Sequence, residues 1–204
     1  MPHLFCVGNH DWSYSSSADD LKDRPPELSA EQLRDDWVQC KGYLLPLFEG
    51  CSPLCWSADI AGLRFVGVDN STYQVSESQL ATFKEVMAAA SGPVCLLVHI
   101  PLWLTELQSA MRSRGLGGYA GSALCGDPAS SNVAYRPTAA TEEFLQLVHK
   151  VEQLVCVLAG HIHTAQTHRI RGEWAKIASG RSFANHPSRI PPPLVVTIFP
   201  PLVV

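Results

Sequence analysis

The sequence predicts an α/β sandwich, and three observations predict it. Leu63–Val68, Val94–Val98 and Leu154–Ala159 are apolar runs of strand length. Between them lie segments whose apolar residues recur at helical spacing: Leu80, Phe83, Met87 and Ala90, then Phe144, Leu147, Val148 and Val151. Each apolar run also stops at polar residues: Asp69-Asn70, His99, and Gly160-His161-Ile162-His163. Ligand sites in sheets of this class collect at the carboxyl ends of strands, so these tips are expected to meet.

Taken in order, Leu4–Val7 reads as a short strand running into Gly8-Asn9-His10-Asp11. Ser13–Pro26 is polar loop, with three serines in a row and a Pro-Pro pair. Ser29 stands three residues before Gln32, a capping-box spacing, and Leu33, Trp37, Cys40 and Leu44 follow. This predicts a helix over about 30–43. Gly50–Ser57 reads as loop. Ser76 and Gln79 repeat the capping box ahead of a helix that Gly92-Pro93 closes. Gly115–Gly126 holds five glycines and reads as a long loop. Thr141-Glu142-Glu143 opens another helix, with carboxylates in its first turn. Residues 166–178 resemble a hairpin around Arg171-Gly172-Glu173. Residues 1–189 form one domain, and 190–204, apolar, Pro-rich and uncharged, is set apart as a tail.

Bulk properties narrow the function. The chain has 204 residues, 46% hydrophobic and 17% charged, enough for one domain with a real core. A net charge of −4 gives no footprint for nucleic acid or an anionic membrane. No apolar run reaches the length of a membrane span, and no secretory leader is visible. A cytoplasmic, reducing setting is the expectation. It fits the seven cysteines: Cys6, Cys95 and Cys156 read as small core hydrophobes, while Cys51 and Cys55 flank Ser-Pro-Leu and either stay free or pair. The five tryptophans read as packing residues.

His161 and His163 stand two apart just past a strand end. In an extended chain they would aim two imidazoles at one point. Neutral imidazole is a common ligand of borderline divalent metals, although the same pair also suits two loop histidines with no ligand. If the tips meet, Asn9 adds an oxygen and His99 a nitrogen. Such an N/O set suits Mn, Fe, Zn, Co or Ni and leaves positions open for catalysis. His10 would stand beside the metal as a proton donor to a leaving group, with Asp11 orienting its ring.

The ordered blocks Gly8-Asn9-His10-Asp11, His99, and Gly160-His161-Ile162-His163 resemble the last three of five signature blocks of the calcineurin-like metallophosphoesterases. The likeness spans about residues 4–188. It implies a two-layer β sandwich flanked by helices, with a dinuclear metal centre. By that resemblance Asn9, His99 and His161 are ligands of the second metal and His163 of the first. His10 contacts phosphate and assists the leaving group. The implied reaction is attack of a metal-bound hydroxide on a phosphomonoester or phosphodiester.

The family's first two blocks, Asp-x-His and Gly-Asp-x-x-Asp or Asn, would precede Gly8, where only seven residues stand. The domain is therefore expected to be incomplete at its N-terminus, with its first strands missing and a sheet edge unpaired. At most one metal is expected here. The competing expectation is a non-catalytic binding or scaffold protein, or an inactive isoform, on a degenerate phosphoesterase fold. Arg112, Arg114 and Arg136, near the glycine-rich loop, suit either phosphate contact or a solvated surface.

Overall fold

The computed structural model describes residues 4–8, 11, 51–104, 124–130, 133–162, 166–171 and 194–198. The strands are β1 (Cys55–Ile60), β2 (Leu63–Val68), β3 (Val94–Leu97), β4 (Leu154–Ala159), β5 (Gln166–Arg171) and β6 (Leu194–Ile198). They form one open mixed sheet in the order β1-β2-β3-β4-β6-β5. Pairs β2–β3, β3–β4 and β4–β6 are parallel, and the outer pairs β1–β2 and β6–β5 are antiparallel. Helix α1 (Glu77–Ala88) lies between β2 and β3 in the chain, and α2 (Ala139–Lys150) between β3 and β4. This is the expected α/β class. The second layer of a β sandwich is not among the described residues.

Helix α1 starts where the sequence places it. The Ser76 side chain accepts from Gln79 N, and the Gln79 side chain accepts from Ser76 N at 2.9 Å, a complete capping box. The same Gln79 side chain donates through Nε2 to Leu54 O and Asp69 O, both at 2.7 Å. One residue thus ties the helix start to the strand ends beside it. Helix α2 begins two residues earlier than expected. Its N-cap is Thr138, whose hydroxyl accepts from Thr141 N, so Thr141 belongs to the first turn.

Both helices bury their apolar faces on one side of the sheet. Leu80, Phe83, Met87, Phe144 and Val148 meet Val66, Val94, Leu96, Leu154 and Val157 in one core. Phe83 and Phe144 join the helices edge to face, with centroids 4.8 Å apart. Truncating either to Ala would cost about 3–5 kcal/mol. The alternate residues point to the other face, where Trp56 and Val7 are buried against half-buried Phe65 and Leu97.

Three expectations are corrected. Residues 55–57 lie in β1, not in a loop. Trp56, Ala58 and Ile60 alternate with exposed Ser57 and Asp59, and a two-residue turn joins β1 to β2. That turn, Ala61-Gly62, has φ of 52° and 81°, the sign both central residues need in a hairpin of this twist. Residues 194–198, set apart as tail, form β6, with β4 on one side and β5 on the other. Three prolines before it and two after make this apolar run read as a tail, which is why Leu-Val-Val-Thr-Ile escaped notice. Leu124 and Cys125, assigned to an open loop, are fully buried. Cys125 N donates to Pro101 O and Trp103 N to Cys125 O, which anchors this segment beside residues 101–103.

Cys51 and Cys55 are free thiols, like the other described cysteines. The predicted 30–43 helix and the return strand of the 166–178 hairpin lie outside the described residues, as do Arg112 and Arg114. Among the described residues, no helix is long and apolar enough to cross a membrane.

Candidate functional site

Because β2, β3 and β4 run parallel, their carboxyl ends share one edge of the sheet. The residues just past those ends are Asp69-Asn70, His99 and Gly160-His161, and the structure brings them together. His99 and His161 stand edge to face, ring centroids 5.2 Å apart at 73°. Gly160 N donates to His99 O at 2.9 Å, locking the two tips to each other.

Residues 4–8 pass the same edge. The Cys6 thiol reaches Leu97 O at 3.7 Å and Val68 O at 3.9 Å, and burial pushes its pKa well up. Leu4–Val7, expected as a short strand, is not one of the strands among the described residues. Gly8 N donates to Asp11 Oδ2 at 2.7 Å, and Asp11 N donates to Gly8 O at 3.0 Å, so Asp11 closes a turn on Gly8. Gly8 itself lies against His99: a Cβ there would sit 2.8 Å from the ring's Cε1 and Nδ1. The glycine of the first block is required by this close approach.

Asp69-Asn70 does more than turn the chain. Asn70 is fully buried. Its Oδ1 accepts from His99 N at 3.2 Å and Ile100 N at 2.9 Å, and its Nδ2 donates to Ile100 O at 2.6 Å. One side-chain amide thus satisfies the backbone that carries His99. Asp69 Oδ1 accepts from Ser71 N, forming a local turn.

Tyr73 ends this loop, held by Tyr73 N donating to Asn70 O at 2.8 Å. Its Oη lies 3.0 Å from His161 Nε2, and its ring stacks on Tyr135 at 3.9 Å. Burial pushes the phenol pKa well up, so Tyr73 stays neutral. Neither Asn70 as a bridge nor Tyr73 was picked out from sequence. The bridge joins residues about thirty apart in the chain, which no local pattern reports. The Tyr73 contact joins loops 88 residues apart.

Of the expected site residues, His99, His161 and Asp11 are described, and the two imidazoles meet. Asn9, His10 and His163 lie outside the described residues, and with them the contact of Asp11 with His10. Two imidazoles suit a borderline divalent metal by donor type. Among the described residues no group of three or more His, Cys, Asp or Glu is arranged to hold a metal ion. Arg136, exposed, donates through Nε to Ser130 O at 3.1 Å. No protein-family model matches the chain, and no curated protein matches it.

Proposed function

We propose that this chain is a calcineurin-like metallophosphoesterase, a metal-dependent hydrolase of phosphomonoesters or phosphodiesters. The observation that carries the reading is the meeting of His99 and His161 beside the Gly8 turn, at the edge where parallel strands end. His99 and His161, with Asn9, would hold a divalent ion such as Mn, Fe or Zn, and His163 is the ligand that the resemblance gives to the other metal. When bound, that ion binds a phosphoryl oxygen and supplies hydroxide at neutral pH. The chain's own residues do the rest. Asp11 is bonded to Gly8, and His10, which lies between them in the sequence, is the proposed donor of a proton to the leaving oxygen. Asn70 holds His99 in place through the backbone.

The second reading is a non-catalytic binding protein on the same fold. It is favoured by a group already engaged within the protein: Asp11 Oδ2 accepts from Gly8 N. Hydrolysis of bis-p-nitrophenyl phosphate in Mn or Zn separates the two. The enzyme reading expects turnover that a chelator abolishes and that His10→Ala lowers by about 100-fold or more. Turnover unchanged by His10→Ala refutes the assigned proton donor. No turnover, together with no micromolar metal binding by calorimetry, favours the binding protein.

A further inference from the structure

Tyr73 belongs to none of the three blocks that carry the resemblance, yet it contacts a ring central to the site. Its Oη lies 3.0 Å from His161 Nε2, and its ring meets His161 edge on at 5.7 Å and 81°. Three residues other than glycine have positive φ among the described ones: Ala61, Tyr73 and His161. Ala61 sits in a hairpin turn that needs that sign. Tyr73 and His161, at 63° and 68°, are the two ends of one side-chain contact. A left-handed backbone costs a non-glycine residue about 1–2 kcal/mol. Such residues persist where the surroundings over-determine them and cluster at functional sites.

The surroundings here are specific. Tyr73 is 5% exposed, stacked on the fully buried Tyr135, and its backbone is tied to Asn70. Asn70 in turn grips the His99 backbone. One five-residue loop, 69–73, therefore holds one histidine by its backbone and the other by its ring.

We propose that Tyr73 is a positioning residue that engages His161 Nε2, so that Nδ1 is the nitrogen His161 presents to a metal. This rests on the reading of His161 as a metal ligand. A metal on Nδ1 requires the ring proton on Nε2, and Tyr73 Oη accepts it there. The phenol hydrogen turns about the Cζ–Oη bond, so without metal the same contact serves with Tyr73 as donor to Nε2. Ligating histidines generally donate their second ring N–H in this way, which fixes tautomer and orientation.

The test uses the full chain with ¹⁵N-labelled histidine. Long-range proton–nitrogen correlation spectra report the His161 tautomer with and without zinc. A zinc titration of wild type, Tyr73→Phe and His161→Ala accompanies them. The expected result is a zinc-shifted Nδ1 and a protonated Nε2 in wild type. Tyr73→Phe should weaken zinc by about 10–100-fold, with a melting temperature within about 4 °C of wild type. Zinc on Nε2, or an unchanged zinc affinity in Tyr73→Phe, overturns the proposal. Equal zinc binding by wild type and His161→Ala instead removes His161 as a ligand, and the proposed function with it. In that case the metal-free spectra still decide what Tyr73 does. One tautomer in wild type and a mixture in Tyr73→Phe retains its grip on the ring, and a mixture in both removes it.

Discussion

At the scale of single residues, two positions decide where His99 stands. Gly8→Ala should push the imidazole aside, because the added Cβ would lie 2.8 Å from it. If the proposed metal site holds, metal affinity should fall while the melting temperature moves little, which titration and calorimetry can compare. Asn70→Ala should loosen His99 and also lower stability, because it leaves the His99 and Ile100 amides and the Ile100 carbonyl without their side-chain partner, at about 3 kcal/mol in total, read by denaturant unfolding. A third residue sets an alkaline limit. Burial raises the Cys55 thiol pKa from its ordinary 9.0 to about 12. The folded chain holds that proton after the unfolded chain has released it. The stability Cys55 contributes is therefore complete below pH 9 and lost as pH rises toward 12. Cys55→Ala should flatten the fall in melting temperature above pH 9. The sequence singled out His99, His161 and Asp11 because glycine, strand end and histidine form a local pattern. Asn70 read as a polar tip at a strand end, which it is. Its second role was invisible, since the partner backbone lies at the end of another strand. Tyr73 gave no signal, because nothing in a tyrosine's neighbours announces a left-handed backbone.

At the scale of elements, the turns and caps give clean tests. Ala61 occupies a left-handed position where Asn or Gly belongs. Ala61→Asn should stabilise the β1–β2 hairpin by about 0.5–1 kcal/mol, measured as a higher urea midpoint with an unchanged slope. Ser76→Ala should cost about 1 kcal/mol, since the hydroxyl accepts from Gln79 N at 3.3 Å. The elements legible in sequence were those with two agreeing signals. Helix α1 had a capping box and an apolar face, and β2, β3 and β4 had apolar runs ending at polar tips. The illegible ones each lacked a signal. Strand β1 was hidden by Ala61, an unusual residue for a hairpin turn, and by Cys51-Ser52-Pro53 just before it. Strand β6 was hidden between prolines, which make an apolar run look like a tail although they only bound its length.

At the scale of the whole molecule, the parallel strands account for the site. They gather three loops, distant in sequence, along one edge. The sequence predicted that gathering from a rule about sheets, before any strand order was known. The order itself was not legible, because β6 enters between β4 and β5 from far down the chain. Ending the chain after Arg189 removes β6 and leaves β5 without its described neighbour. Such a chain should unfold with a smaller denaturant slope and lose amide exchange protection in β4. The same insertion shapes how the protein is born. On the ribosome β4 is finished at Ala159, but the strand that covers its outer edge is complete only at Ile198. At ordinary rates of translation that edge waits roughly 2–8 s for its partner. Any extended segment that meets β4 in that interval competes for its backbone hydrogen bonds, so the newborn chain is exposed to mispairing in the middle of its sheet rather than at its rim.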